Sequence, residues 1–139
     1  MKGVFVSRTE EDTKRIAGEL AKHLKGNEVI CLVGDLGAGK TTFVKGLAEA
    51  MGIREGYQVR SPTFSLIHQY PTTQGNIFHV DLYRVDYLDL EEVLGEGLVV
   101  IEWPKDMSIC QIVVEITEEG HERLIKIYTN NHVQEGSDS

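Results

Sequence analysis

The sequence predicts an α/β domain of three layers, with a mostly parallel central sheet and an antiparallel hairpin near its C-terminus. Three observations predict it. The runs Val29-Ile30-Cys31-Leu32-Val33 and Leu98 to Ile101 are apolar without a break, the pattern of strands covered on both faces. Segments of helical period alternate with such runs. Two alternating stretches flank Glu118-Glu119-Gly120, as in a hairpin. A length of 139 residues suits one core of ordinary domain size.

Each element has its own signal. Val4 and Val6 predict a short first strand. Thr9 followed three residues later by Asp12 resembles a capping pair that opens a helix. Ile16, Leu20 and Leu24 give that helix one apolar face, and Lys25-Gly26-Asn27 stops it. Glu28 to Val33 is a strand. The second helix runs from about Lys40 to Met51, with Phe43, Leu47 and Met51 on one face, and Gly52 ends it. Phe64 to Tyr70 predicts a strand, Pro71 to Asn76 a turn, and Ile77 to Tyr83 a further strand. Asp89 to Leu94 predicts a short helix with Gly95 as its cap. Leu98 to Ile101, Ile109 to Ile116 and Arg123 to Tyr128 complete the strands. Residues 1–129 are expected to form the domain, and the polar segment 130–139 a disordered tail.

Charge excludes some functions. The chain carries 14 Lys+Arg and 22 Asp+Glu, a net of −8. Residues 1–70 hold 10 basic and 8 acidic side chains, and residues 71–139 hold 4 and 14. An acidic chain is poorly suited to gripping nucleic acid phosphates, an affinity that comes from Lys and Arg. A polybasic membrane contact is equally disfavoured. No apolar run approaches the roughly 18 residues that span a bilayer, and the first residues lack the pattern of a signal peptide. Cys31 and Cys110 have no metal-ligand spacing, and Cys31 is expected to be a buried, reduced thiol. A cytoplasmic protein is the expectation.

The strongest motif is Gly34-Asp35-Leu36-Gly37-Ala38-Gly39-Lys40-Thr41, the G-x-x-x-x-G-K-[ST] phosphate loop, with a buried strand before it and a helix after it. Glycines let the backbone curl with its N–H groups inward, and the helix start adds positive dipole. Lys40 can bridge the β- and γ-phosphates of ATP, Thr41 can place its hydroxyl on Mg²⁺, and Thr42 is set for the α-phosphate. The fold expected is therefore that of P-loop nucleoside triphosphatases.

The segment Gly34 to Lys45 resembles the phosphate loop of the TsaE (YjeE) family. Ser61-Pro62-Thr63-Phe64 resembles that family's switch-like loop, His79-Val80-Asp81-Leu82-Tyr83-Arg84 its H-x-D-x-Y-R segment, and Glu102-Trp103-Pro104 its Glu-Trp motif. The likeness runs from about Thr9 to Pro104. The chain departs from the pattern in a shorter stretch between Arg84 and Glu102 and in lacking a Leu-Pro segment after the Glu-Trp pair. The resemblance implies a small Mg²⁺-dependent ATPase needed for threonylcarbamoyladenosine (t6A) in tRNA. It implies a TsaB–TsaD heterodimer as partner, whose turnover ATP hydrolysis drives; weak activity alone is expected because the sequence offers no obvious arginine finger.

Other residues carry two readings each. Asp81 ends an apolar strand, where a carboxylate can hold Mg²⁺ directly or through water; its other reading is a helix or turn cap. Glu102 ends the other apolar strand, and the resemblance makes it a Mg²⁺ ligand or the group that orients the attacking water; its other reading is an exposed strand-end acid. Lys40, Asp81 and Glu102 are the expected catalytic residues. Thr63 could sense the γ-phosphate or simply turn the chain into a strand. The resemblance puts Trp103 near the nucleotide, against a packing role. Thr9 can approach the base or ribose, but capping suits it better. Tyr83 and Arg84 can face phosphates or partner, and His79 suits a supporting role. Glu91, Glu92 and Glu96, with Asp86 and Asp89, read as a solvated face or a docking surface for a basic partner. A small-molecule kinase would need a lid carrying arginines, and only Arg84 and Arg123 follow residue 70. A GTPase would need the absent N-K-x-D motif. A non-catalytic nucleotide-dependent adaptor remains an alternative.

Overall fold

A computed structural model describes residues 1–35, 37, 39–60 and 66–130. Seven strands form one sheet, in the order β1-β7-β6-β2-β5-β4-β3. In chain order the elements are β1 (Gly3–Ser7), α1 (Glu10–Ala21), β2 (Val29–Val33), α2 (Lys40–Met51), β3 (Ile67–Thr72), β4 (Gly75–Asp81), β5 (Leu98–Glu102), β6 (Ile112–Glu119) and β7 (Glu122–Thr129). β6, β2, β5 and β4 run parallel. The sheet is finished by antiparallel β3 on one edge and by β7 and β1 on the other. The two apolar runs, β2 and β5, lie side by side at its centre. This is the predicted architecture.

The two faces are covered differently. α1 and α2 lie on one face, where Ile16, Leu20, Phe43, Leu47 and Met51 pack on Ile30, Leu32, Val100 and Val114. The helices meet at Gly46. A Cβ there would come within 2.7 Å of the Lys14 backbone and 2.8 Å of the Ala17 Cβ, so only glycine admits the contact. Irregular chain covers the other face. Leu82, Leu90 and Cys110 pack there against Val29, Cys31, Val80, Val99 and Ile101. The third layer is thus hydrogen-bonded turns rather than regular helix.

Four expectations change in detail. Asp89 to Leu94 does not make a helix. It makes turns closed by the Val93 and Leu94 amides donating to the Leu90 carbonyl, because Leu90 and its neighbours are held by the sheet rather than by a helical repeat. Pro71 lies within β3, not in a turn, as an edge strand permits. The predicted start at Phe64 falls outside the described residues, and β3 begins at Ile67. Finally, Cys31 is not a free thiol but forms a disulfide with Cys110. Pairing of β6 beside β2 brings the two cysteines together across 79 residues of sequence, a proximity no local motif announces. The 131–139 part of the expected tail lies outside the described residues.

Candidate functional site

The site grows from the junction of β2 and α2. β2 ends at Val33, and α2 starts at Lys40 behind Gly39. Gly39 has φ 99°, a left-handed conformation that glycine adopts without cost. α2 opens with the Phe43 amide donating to the Gly39 carbonyl. The first amides of a helix have no acceptor within the helix and can bind an anion. Thr41 and Thr42 lie half-buried in this first turn, and Asp35 and Gly37 are exposed in the loop. Leu36 and Ala38 are outside the described residues, as is Thr63.

Lys40 is 5% exposed. Its Nζ donates to the Gly34 carbonyl at 2.5 Å and lies 3.8 Å from the centroid of the Trp103 ring, a cation–π contact. Burial holds the ammonium below its ordinary pKa near 10.5, while the carboxylates of Glu102, Asp81 and Asp35 act to raise it. Among the described residues the hydrogen bond of the cation is to the Gly34 carbonyl. Phosphate oxygens would complete its shell.

The acids come from neighbouring strand ends. Asp81 and Glu102 are register partners on β4 and β5. Side chains alternate along a strand, so His79 and Asp81 share the helix-covered face with Ile77. Glu102 is 3% exposed and its Oε2 is bonded to His79 Nε2 at 2.5 Å. His79 Nδ1 has no hydrogen-bond partner among the described residues. Asp81 is less enclosed, its Oδ1 accepting from the Tyr83 amide at 2.8 Å.

Trp103 follows directly. It is the one described residue other than glycine with positive φ, at 58°. A bulky side chain there carries strain, roughly 1–3 kcal/mol, of the kind that gathers at functional sites. The kink lays the indole over Lys40, with the Tyr83 ring edge-on at 4.8 Å. Arg84 is exposed.

Among the described residues no group of three or more His, Cys, Asp or Glu is arranged to hold a metal. Thr9 has the capping role: its hydroxyl accepts from the Asp12 amide at 3.0 Å and starts α1.

One neighbour of the loop was not among the expected site residues. Arg123, on β7, lies against Gly39: a Cβ there would be 3.4 Å from the Arg123 Cδ and Nε. The sequence carries a signal for it only once β6 is known to run parallel to β2, so that the hairpin returns at the edge bearing the loop.

The model of the family described as "Threonylcarbamoyl adenosine biosynthesis protein TsaE" matches residues 7–132. A "tRNA threonylcarbamoyladenosine biosynthesis protein TsaE" from Aquifex aeolicus is 48% identical over 124 residues, 88% of this chain and 93% of the relative. One of the same description from Rickettsia felis is 35% identical over 140 residues, 92% of this chain and 81% of the relative. Among solved structures, YdiB of Bacillus subtilis superposes with a TM-score of 0.76 at 31% identity, covering 99% of this chain and 93% of that one.

Proposed function

The chain belongs to the TsaE family, and on that premise we propose that it serves t6A biosynthesis as a Mg²⁺-dependent ATPase, acting with a TsaB–TsaD heterodimer. The family's printed description supports the pathway. The observation that carries the ATPase reading is buried Lys40 at the start of α2, with Glu102 and Asp81 beside it at the ends of β5 and β4.

The residues divide the work. The amides before α2 and the Lys40 ammonium bind the β- and γ-phosphates of ATP. Thr41, with Asp81 or Glu102, would hold Mg²⁺, which supplies neutralising charge at the phosphates. Glu102, fixed by His79, orients a water toward the γ-phosphorus and takes its proton. The water oxygen bonds to phosphorus, the bond to the β,γ-bridging oxygen breaks, and ADP and inorganic phosphate leave. Lys40 stabilises the charge that gathers on the leaving oxygen. Trp103 shields this cation from water on one side.

Hydrolysis of this kind is slow without a partner to order the nucleotide, and the acidic half of the chain, with exposed Glu91, Glu92 and Glu96, suits a basic partner surface. Phosphate release should therefore be measured with Mg²⁺-ATP, alone and with purified TsaB–TsaD. Stimulation by the heterodimer is expected. Turnover unaltered by it would reject the partner assignment, and absence of phosphate release in both cases would reject the ATPase.

A further inference from the structure

We propose, resting on the partner reading above, that the groove beside the ends of β4 and β5, on the sheet face without helices, takes a basic segment of the partner protein with an apolar side chain as its anchor.

The groove encloses about 300 Å³, in the range of built binding sites. Its floor is apolar: Leu82, Leu90 and Ile101 are buried there. Leu94 lines it while 37% exposed. Two stretches form it, 82–94 and 101–109. Four of the seven large apolar side chains exposed among the described residues lie in those stretches: Tyr83, Tyr87, Leu94 and Met107. Apolar surface gathered in one place marks a contact.

The rim decides the kind of partner. Asp86, Asp89, Glu91 and Asp106 line the groove with one ammonium, that of Lys105. None of these four carboxylates has an ion-pair partner among the described residues. On α1, by contrast, Glu11, Asp12 and Glu19 each pair with a Lys or Arg. Four unpaired acids around an apolar floor repel nucleic acid and acidic peptide, and attract Lys or Arg flanking an apolar side chain. A second copy of this chain, with its net charge of −8, is repelled as well.

Position gives docking a consequence. Leu82 follows Asp81 directly, and Pro104 lies two residues past Glu102. The Leu82 amide donates to the Glu102 carbonyl at 3.0 Å, so one hydrogen bond joins the groove wall to the strand end that bears the acid. An anchor seated on Leu82 and Pro104 bears on the chain that sets both carboxylates, which couples docking to hydrolysis.

Binding of purified TsaB–TsaD at physiological salt, to wild type, to Leu94→Ser and to Asp86→Lys with Glu91→Lys, tests the proposal, together with phosphate release with and without the heterodimer. Asp86 and Glu91 are exposed; Asp89 and Asp106 are left intact because they accept from the Glu91 and Ser108 amides. Reversal of the rim should weaken binding about tenfold or more, and Leu94→Ser about tenfold, as for one lost anchor. Stimulation should fall with binding, while phosphate release without the heterodimer stays at the wild-type rate. The same change of charge outside the groove, Glu55→Lys with Glu119→Lys, should weaken binding less than about threefold, because separated charges are screened. Wild-type affinity in either groove variant, or an equal loss for the outside pair, would overturn the proposal. If wild type does not bind the heterodimer, the partner reading fails, and an amphipathic Lys/Leu peptide decides the groove by backbone amide shifts. Shifts at Asp86 to Leu94 that vanish in the rim variant, with none from a Glu/Leu peptide, would support it. Shifts elsewhere, or none, would overturn it.

Discussion

On the β4–β5 side of the phosphate loop, Glu102 is buried and tied to His79; on the β6–β7 side, the Arg123 side chain is 30% exposed and its buried Nε has no partner among the described residues. The first flank is assembled before any ligand arrives. The second leaves a donor without an acceptor among the described residues. The difference matches two tasks. A group that acts on a reacting atom gains from being fixed in advance, because reorganisation during the reaction is avoided. A group that captures a ligand gains from leaving a bond to be made on binding.

The sharpest way to separate the flanks is Glu102→Gln. It should slow ATP hydrolysis by roughly 10²–10⁴-fold, as for loss of a general base, while ATP affinity stays within a few-fold of wild type. Rates are read by phosphate release and affinities by calorimetry. Equal damage to both quantities would erase the contrast between the flanks.

Reduction bears on the frame of the second flank. Cys31 lies on β2 and Cys110 leads into β6, so their disulfide ties the loop-bearing strand to the hairpin side. The chain between them spans 79 positions, and a bond closing such a loop is worth about 2–4 kcal/mol. Dithiothreitol should lower the melting temperature of wild type and leave that of a Cys31→Ser, Cys110→Ser double variant unchanged.

Gly46→Ala probes the layer beneath both flanks. Its methyl would meet the Lys14 backbone at 2.7 Å, and α1 must shift away from α2. A loss of about 1–3 kcal/mol is expected, read by urea unfolding. A neutral result would mean that the helices part without cost.

The smallest effect is the pH dependence at Lys40. Its pKa is lowered by burial from about 10.5. Between the lowered value and 10.5 the unfolded chain binds this proton and the folded chain does not. Folding stability should therefore rise with pH in that window through this group. Wild type compared with Lys40→Met by thermal melts on either side of the window isolates the contribution, because Met has no proton to lose.

Much of the fold was legible in the sequence because it rests on local pattern. The apolar runs of β2 and β5 and the spacing of Phe43, Leu47 and Met51 follow from burial, which acts residue by residue. What stayed hidden depends on tertiary placement. The turns around Leu90 look helical by composition, yet their apolar side chains are fixed by the opposite sheet face. The Cys31–Cys110 bond and the approach of Arg123 to Gly39 both need the order of strands, which only the assembled sheet supplies. The candidate site divides similarly. Lys40 and the strand-end acids were legible from motif and position. The His79–Glu102 bond and the left-handed Trp103 were not, since neither leaves a trace in spacing.

The central claim is that this loop binds Mg²⁺-ATP through Lys40. Calorimetric titration of ATP into wild type and Lys40→Ala, with Mg²⁺ present, tests it most directly. One saturable site is predicted in wild type, weakened about 100-fold or more in the variant by the loss of charge-assisted phosphate contacts. Equal affinities in the two proteins would contradict the account.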